Sequence, residues 1–486
     1  MNWIDHHAAR DPGRVALIDL HRGHHTSYGE LAARIRSLAW SLKHEYGVQA
    51  GDRVAILSHN DTRVFESIYA CGVVGAIAVP LNWRLTPAEL AGIRADARPA
   101  VLLHEGDPMG LDVPVTIGWD DSYESAATAA VPADWEPEPV DPDAVWTIIY
   151  TSGTTGQPKG VQATHRGVLA SMLGILVAHG VTAESRCLTV LPTFHVAGLN
   201  LFANPVLYAG GTVLVARMFD PAQTLRLLAE ITHFCGVPAN YQFVQQLPGF
   251  ADTPLRPFTA AVGGSPVPSA LVENWAQRGI RLTTVYGITE AGACVTTMPP
   301  GRELSHNGTI GLPTLYARCR IRTADDEPAT VGETGELQIS GPLVTSGYWG
   351  KHDATAAAFT ADGWLRTGDA AMIGEDGHLV LVDRWKDMYI SGGENVYPAE
   401  VENVLYTHAA VAQTAVVGVP DDRWGETGVA FVVRAVGAAV TADELTAWCR
   451  GRLAGFKVPS RIRFVDELPR NATGKVLKAP LRADAC

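Results

Sequence analysis

Apolar and polar positions alternate along the first part of the chain in patterns that predict helices and strands in turn. Apolar residues recur at helical spacing over 28–42, which predicts a helix. Residues 53–57 predict a strand, 62–74 a helix and 76–80 the next strand. This strand–helix–strand rhythm is typical of a parallel sheet.

The rhythm returns later in the chain. Residues 145–150 form an apolar run that predicts a buried strand, and 187–191 predict another. A further strand–helix–strand segment is expected over 206–215, followed by a helix over 221–232. We therefore predict an α/β fold whose large N-terminal domain is built from parallel sheets.

Other segments depart from this rhythm. A turn that opens a helix is predicted near Pro87. Residues 120–143 are acidic and rich in proline, which predicts a loop. Residues 333–340 alternate apolar with polar side chains, the pattern of a half-buried antiparallel strand, so an added β subdomain is expected to begin near Gly308.

The last hundred residues predict a separate, small α+β domain. Its predicted elements are a helix from Pro398, strands over 414–419 and 429–434, a helix from Thr441 and a strand over 462–465. Thr441 and Glu444 have the spacing of a capping box. We expect the large domain to span residues 1–383 and the small domain residues 387–486.

Composition narrows the class of protein. A chain of 486 residues with 47% hydrophobic residues is too long for one core. The formal charge of −13 argues against a nucleic-acid binder. Seven scattered cysteines without Cys-x-x-Cys spacing indicate neither a disulfide framework nor a zinc site.

Hydropathy and the amino terminus bear on location. The longest apolar run, 68–81, is too short to span a bilayer, and the amino terminus lacks the pattern of a signal peptide. These observations favour a cytoplasmic enzyme that acts on small molecules and binds no nucleic acid. The sequence does not separate a monomer from a homodimer.

The stretch 151–160 carries the strongest chemical signal. Its sequence, TSGTTGQPKG, has three glycines and four hydroxyl residues, so its backbone N–H groups can turn toward one anion. It is not the ordinary P-loop, because Gly156 is followed by Gln157 and Pro158 precedes Lys159. The alternative is a polar surface turn.

Three further motifs accompany this stretch in order: YGITE at 286–290, RTGD at 366–369 and PRNATGK at 469–475. Together the four motifs resemble the adenylate-forming superfamily of acyl-CoA synthetases, peptide-synthetase adenylation domains and firefly-type luciferases. The resemblance implies that a carboxylate attacks the α-phosphate of ATP and displaces pyrophosphate. A nucleophile such as the thiol of coenzyme A then attacks the acyl-adenylate.

The resemblance also implies an ATP site. Its residues are Thr151, Ser152, Gly153, Thr154, Thr155, Gly156, Lys159, Tyr286, Gly287, Glu290, Asp369 and Arg384. By resemblance Glu290 is a Mg²⁺ ligand, as suits a hard cation, and Thr289 contacts the α-phosphate. Asp369 would accept both ribose hydroxyls, with Arg384 beside it.

Residues near the carboxyl terminus are expected to carry the two half-reactions. By resemblance, Lys475 bridges the incoming carboxylate and the α-phosphate. Lys386 lies in the family's hinge, here 384–386, about which the small domain is mobile. Gly392 and Gly393 would line the path of coenzyme A. The alternative for Lys475 is an ordinary lysine in a basic tail, and the alternative for Gly392 and Gly393 is a simple turn.

The acyl pocket is expected from four segments. The resemblance implies His195, Val196, Ala197, Ala239, Asn240, Tyr241, Gly263, Gly264 and Ile288 as its residues, with Tyr286 and Gly287 beside them. His195 resembles the family's gate of the pocket. No Asp stands near it to pair with a substrate ammonium, so an amino-acid substrate is not expected.

Small residues in this pocket leave room for a flat ring, and Asn240 or Tyr241 could bind a ring hydroxyl. Residues 236–241 resemble bacterial feruloyl-CoA synthetases, which favours a hydroxycinnamic acid such as ferulate or 4-coumarate. A medium- or long-chain fatty acid would fit the same slot. A luciferase-like oxygenase and a regulatory module without turnover are the remaining alternatives, although Lys475 and Glu290 together argue against the latter.

Overall fold

A computed structural model describes residues 3–151, 158–384, 387–391, 394–470 and 476–485. The chain divides into two compact units. The large unit comprises Met1–Cys319 and Ile339–Leu365, and the small unit comprises Arg320–Gln338 and Arg366–Cys486. The predicted limits, 1–383 with a hinge at 384–386 and 387–486, differ because residues 320–338 and 366–383 group here with the carboxyl-terminal part. The domain limits stay a prediction.

The large unit alternates helices and strands along most of its length. Its helices are α1 (Trp3–Arg10), α2 (Tyr28–His44), α3 (Thr62–Val74), α4 (Pro87–Ala97), α5 (Asp121–Ala127), α6 (His165–His179), α7 (Val196–Asn200), α8 (Ala203–Ala209), α9 (Pro221–Leu227), α10 (Pro238–Gln245), α11 (Ser269–Gln277) and α12 (His352–Ala358). Its strands are β1 (Val15–Asp19), β2 (His24–Ser27), β3 (Arg53–Leu57), β4 (Ile77–Leu81), β5 (Val101–His104), β6 (Val115–Gly118), β7 (Val145–Thr151), β8 (Lys159–Thr164), β9 (Arg186–Thr189), β10 (Thr212–Val215), β11 (His233–Gly236), β12 (Thr259–Gly263), β13 (Leu282–Tyr286), β14 (Thr296–Thr297) and β15 (Leu312–Pro313).

Local sequence signals explain where two of these helices begin. Ser27 and Glu30 form a capping box at the start of α2, whose buried face carries the predicted apolar residues. Pro87 is the first residue of α4, where proline loses no hydrogen bond, and Thr86 and Glu89 form a second capping box. Both helices confirm the sequence prediction.

The strands of the large unit form two sheets. One has six strands in the order β6-β5-β3-β4-β7-β8, and the other has nine in the order β15-β14-β13-β12-β11-β9-β10-β1-β2. Neighbours from β13 to β10 are parallel, as are those from β6 to β7. The predicted parallel α/β architecture is confirmed.

The segment 120–143 is a loop only in part, because α5 lies within it. The Asp120 carboxylate caps this helix by accepting a hydrogen bond from the Ser122 N–H. The Tyr123 side chain is fully buried, and its hydroxyl donates to Glu66 at 3.0 Å. The acidic residues that suggested a loop therefore cap a helix, and tertiary packing stabilises it.

The small unit contains a four-stranded and a five-stranded sheet. The strands are β16 (Arg318–Arg322), β17 (Gly335–Ser340), β18 (Leu365–Ile373), β19 (Leu379–Arg384), β20 (Tyr389–Ser391), β21 (Glu394–Val396), β22 (Val411–Asp421), β23 (Gly425–Arg434) and β24 (Arg461–Phe464), and the helices are α13 (Pro398–Tyr406), α14 (Ala442–Arg450) and α15 (Lys478–Ala485). The sheet orders are β16-β17-β18-β19 and β21-β20-β23-β22, with β24 beside β23. The predicted capping box of Thr441 and Glu444 begins α14. The helices and strands expected here are confirmed.

Six cysteines fall within the described residues, and all six are free thiols. Burial raises the pKa of every one of them. Four are fully buried: Cys71, Cys187, Cys294 and Cys449.

Among the described residues, none of the helices has the length and hydropathy needed to cross a bilayer.

The buried His179 at the end of α6 generates a prediction about stability. Burial lowers its pKa to about 4, so the unfolded chain binds this proton near pH 6.5 and the native protein near pH 4. Stability therefore falls as the pH drops from 6.5 to 4, by up to about 1.4 kcal/mol per pH unit for one proton. We expect His179→Gln to make the free energy of unfolding, measured with urea, less dependent on pH in this range.

The exposed His24 provides the control for this measurement. His24→Gln should leave the pH slope as it is in the unmodified protein. An unchanged slope in His179→Gln would show that this imidazole does not contribute to acid sensitivity.

Candidate active site

Four neighbouring parallel strands, β9, β11, β12 and β13, place their carboxyl ends at one edge of the nine-stranded sheet. The predicted acyl-pocket residues lie at or just after these ends: His195, Val196 and Ala197 after β9, Ala239, Asn240 and Tyr241 after β11, Gly263 and Gly264 at the end of β12, and Tyr286, Gly287 and Ile288 at the end of β13. Ligands of open α/β sheets bind at such strand ends. The topology therefore gathers all four predicted segments at one edge.

The imidazole of His195 is fixed at the start of α7. Its Nδ1 accepts a hydrogen bond from the Ala197 N–H at 3.3 Å, so the side chain caps the helix. Burial lowers the pKa of His195 to about 4. The ring is therefore neutral near pH 7 and brings no charge to the predicted pocket.

The structure does not support Tyr241 as the partner of a substrate hydroxyl. Its side chain is fully buried, and its hydroxyl donates to the Ala261 carbonyl at 2.9 Å. Its ring lies edge-on to Trp275, with 5.1 Å between centroids. Tyr241 is therefore a core residue, because its ring packs against Trp275 and its hydroxyl already has a hydrogen-bond partner in the protein.

Asn240, the other predicted polar contact, has a divided role. Its Oδ1 accepts a hydrogen bond from the Val237 N–H at 2.9 Å at the start of α10. Its amide NH₂ group is the donor that can still serve a ligand. Of the two predicted residues, Asn240 therefore remains the candidate partner of a substrate hydroxyl.

Two glycines of the predicted pocket are required by close backbone approach. A Cβ at Gly287 would lie 1.9 Å from the Ala293 carbonyl oxygen, and one at Gly263 would lie 2.3 Å from that of Val285. Gly264 adopts a φ of +80°, which other residues rarely take. The sequence suggested that small residues here leave room for a ring, and the structure gives Gly263 and Gly287 a backbone reason as well.

The ends of the predicted phosphate loop are held together by a strand pair. Thr151 ends β7 and lies opposite Lys159, which begins the antiparallel β8. The Lys159 Nζ lies 4.9 Å from the ring centroid of Tyr348. The predicted loop residues Ser152, Gly153, Thr154, Thr155 and Gly156 lie outside the described residues.

Glu290, the predicted metal ligand, lies in a short 3₁₀ helix, Thr289–Ala291, directly after β13. Its Oε1 accepts a hydrogen bond from the Tyr348 hydroxyl at 2.8 Å. Its Oε2 accepts none from the residues that the structure describes. One free carboxylate oxygen, a hard donor, fits Mg²⁺ that is shared with phosphate oxygens and water.

Sequence reasoning missed Tyr348, which contacts both Lys159 and Glu290. Burial and the neighbouring Glu290 carboxylate raise the pKa of Tyr348, so its phenol stays protonated and donates. In the sequence it is marked only as an aromatic residue after Gly347, a pattern that is also common in surface turns.

The predicted phosphate and acyl segments also meet, because Thr289 and Val196 line one cavity of about 10 Å³.

The small unit holds the other predicted residues. Asp369 is buried in β18 and pairs in register with Arg384 of β19. Lys475 lies outside the described residues, but its loop is closed at the base by a bridge between Arg470 and Val476. The predicted hinge residue Lys386 and the predicted coenzyme A contacts Gly392 and Gly393 also lie outside the described residues.

Comparison with known proteins agrees with this arrangement. Residues 4–349 match the AMP-binding enzyme family and residues 400–475 match the AMP-binding enzyme C-terminal domain, so the chain belongs to the family of AMP-binding enzymes. The resemblance drawn from the motifs is confirmed.

Similar proteins extend over the whole chain. A feruloyl-CoA synthase of an Amycolatopsis species is 40% identical, covering 99% of this chain and 98% of that protein. A 2-succinylbenzoate–CoA ligase of Geobacillus kaustophilus is 38% identical, with 99% and 97% covered. An indoleacetate–CoA ligase of Aromatoleum aromaticum is 36% identical, also with 99% and 97% covered.

Solved structures give the same result. ATP-bound MatB from Rhodopseudomonas palustris has a TM-score of 0.91 and 31% identity, with 99% of this chain and 98% of that chain covered. The o-succinylbenzoate CoA synthetase of Bacillus subtilis with ATP and magnesium ion has a TM-score of 0.87 and 32% identity, with 99% of both covered. The chain is an acid–thiol ligase, an AMP-forming acyl-CoA synthetase that works through an acyl-adenylate and uses ATP, Mg²⁺ and coenzyme A.

Gly287 provides a test of the site's backbone. Gly287→Ala should lower the free energy of unfolding by about 1–3 kcal/mol, since its Cβ would overlap the Ala293 carbonyl. We also expect slower pyrophosphate release, because the backbone between β13 and Glu290 must shift. Unfolding in urea and a pyrophosphate assay measure the two effects.

Gly92 is the matched control, because it lies within α4 and a Cβ there meets nothing within 4 Å. Gly92→Ala should raise the free energy of unfolding by about 0.5–1 kcal/mol and leave activity unchanged. If Gly287→Ala behaved like Gly92→Ala, the close approach at Gly287 would not matter.

Proposed function

We propose that the acid substrate is a hydroxycinnamic acid such as ferulate or 4-coumarate. The observation that carries this proposal is the 40% identity to a feruloyl-CoA synthase over 99% of the chain. The names of the other relatives, 2-succinylbenzoate–CoA ligase and indoleacetate–CoA ligase, also contain aromatic acids. A neutral His195 and the Asn240 amide suit an uncharged ring with one hydroxyl.

Activation of the acid is mainly positioning and charge neutralisation. In this proposal the loop 151–160 binds the β- and γ-phosphates, and Lys159 adds a cation beside them. Mg²⁺ neutralises phosphate charge when bound, and Glu290 is the residue that would hold it. Asp369 accepts the ribose hydroxyls with Arg384 beside it, and Thr289 contacts the α-phosphate.

Lys475 is proposed to make the attack itself feasible. The acid carboxylate and the α-phosphate are both anions and repel each other. An ammonium between them lowers this repulsion most where the new bond forms. Two contacts support a defined position for the ends of the Lys475 loop. Arg470 and Val476 form a bridge at its base, and the Leu477 N–H donates to the Pro469 carbonyl at 2.8 Å.

The thioester step is proposed to use a second orientation of the small domain. Lys386 would be the hinge residue whose backbone angles change between the two steps. Gly392 and Gly393 would line the path of the pantetheine arm, where glycine lets a ligand pass close to the backbone.

A fatty acid is the second candidate substrate. One observation favours it: a fatty acyl CoA synthetase of Mycobacterium tuberculosis has a TM-score of 0.77 and 33% identity, with 99% of this chain covered. A linear chain could occupy the same edge of the sheet. The two candidates differ in their need for a polar group at the far end of the pocket.

A panel of acids distinguishes the two candidates. We expect 4-coumarate to have a higher kcat/KM than cinnamate, because a buried polar group left without its partner costs about 1–3 kcal/mol. AMP formation with ATP, Mg²⁺ and coenzyme A is the measurement. Asn240→Ala should bring kcat/KM for 4-coumarate and for cinnamate closer together. A folding defect would lower both values and leave their ratio unchanged. A higher kcat/KM for octanoate than for either aromatic acid would refute the aryl assignment.

Lys475→Ala tests the proposed role in the first half-reaction. We expect adenylate formation to fall by about 10²-fold or more, as after loss of one transition-state donor. The thioester should still form from preformed acyl-adenylate and coenzyme A. Lys43, whose ammonium pairs with the exposed Glu138, gives a control variant with unchanged activity. Equal loss of both steps in Lys475→Ala would contradict the assignment.

A further inference from the structure

A short segment of the large unit, residues 345–349, connects the strand after the phosphate loop to the Glu290 helix; we name it the clasp. The Gln162 N–H donates to the Gly347 carbonyl at 3.0 Å, and the Trp349 N–H donates to the Gly160 carbonyl at 2.8 Å. An isolated antiparallel bridge between Val161 and Tyr348 therefore joins the clasp to the beginning of β8. At its other end, the Thr345 N–H donates to the Glu290 carbonyl at 2.7 Å.

The backbone of the clasp is fixed by side-chain hydroxyls. Thr345 Oγ1 donates to the Gln162 carbonyl at 2.6 Å and accepts a hydrogen bond from the Gly347 N–H at 3.0 Å. Thr355 Oγ1 accepts a hydrogen bond from the Tyr348 N–H at 2.9 Å. The backbone of Gly347 and that of Tyr348 are thus each held by a threonine hydroxyl, which favours one direction for the Tyr348 side chain.

The Tyr348 side chain lies between two groups of opposite charge. Its hydroxyl donates to Glu290 Oε1 at 2.8 Å, and the Lys159 ammonium lies 4.9 Å from its ring centroid. A cation near an aromatic face is attracted by the ring. A phenol that donates to a carboxylate leaves the other carboxylate oxygen for a second partner.

We propose that Tyr348 is a positioning residue for nucleotide and cation binding, which keeps Glu290 and Lys159 oriented and apart. The proposal rests on the proposed roles of Glu290 toward Mg²⁺ and of Lys159 toward phosphate. Without the phenol the carboxylate can rotate, and without the ring the ammonium can pair with it. Such a pair would have to separate before the cation and the phosphates bind.

Two substitutions separate the two contacts. Tyr348→Phe keeps the ring and removes the hydroxyl, whereas Tyr348→Leu removes both. We expect Tyr348→Phe to raise the Mg²⁺ concentration for half-maximal ATP–pyrophosphate exchange by about 10- to 100-fold, the usual effect of losing the partner of a metal ligand. Its kcat should return at high Mg²⁺. Tyr348→Leu should in addition raise the KM for MgATP.

Calorimetric titration with a non-hydrolysable ATP analogue and Mg²⁺, without acid, provides a readout independent of turnover. Tyr348→Phe should bind the analogue more weakly at low Mg²⁺ and equally at high Mg²⁺. Tyr123→Phe is the matched control, because its hydroxyl also donates to a carboxylate, that of Glu66, at 3.0 Å. The control should leave the Mg²⁺ dependence unchanged.

The outcomes distinguish this inference from the proposed function. If Tyr348→Phe lowered kcat at every Mg²⁺ concentration without moving the half-maximal value, Tyr348 would be structural and the inference wrong. If Glu290→Gln also left the Mg²⁺ dependence unchanged, the proposed metal role of Glu290 would fail instead. The exchange assay uses whichever acid the enzyme activates best, so an error in the acid assignment leaves the test intact.

Discussion

Parallel pairing of β9, β11, β12 and β13 is the constraint on which the active site depends. Because the pairing is parallel, residues far apart in the sequence leave the sheet at the same edge. Close backbone approach at Gly263 and Gly287 holds the last of these strands and the turn after it. The position of Glu290 follows from that turn, since its 3₁₀ helix begins two residues after Gly287.

Electrostatics adds a second constraint. The site binds a polyphosphate together with its cation, and in the proposed function it also binds an uncharged ring, so charge has to be confined to one side. Burial keeps His195 neutral in the predicted acyl pocket. On the phosphate side, Glu290 and Lys159 both contact one phenol rather than each other. Local packing thus divides a small volume into charged and uncharged parts.

Much of the fold could be predicted from the sequence, because helix starts and apolar spacing are local signals. The start of α4 at Pro87 and the capping box at Thr441 are examples. Helix α5 was missed because the acidic, proline-rich composition of its segment suggested a loop. Asp120 instead caps the helix locally, and Glu124 lies 2.8 Å from Arg34 of the distant α2.

Within the candidate site, Glu290 and Lys159 could be predicted because each belongs to a linear motif, and the structure shows both beside Tyr348. Tyr348 and Tyr241 show the limit of such patterns. One tyrosine lies in the core and the other between two charged groups, and only their tertiary neighbours separate the two cases. The sequence offers an aromatic residue near a glycine or an asparagine at each position, which predicts neither environment.

The buried cysteines have a chemical consequence for an enzyme of this class. An acyl-adenylate is a mixed anhydride, and any thiolate that reaches it becomes acylated. Thiolates are the reactive form, and raised pKa values keep the six cysteines among the described residues protonated. The protein therefore makes an acylating agent without offering these six sulfur atoms as acceptors, which favours the thiol of coenzyme A over them.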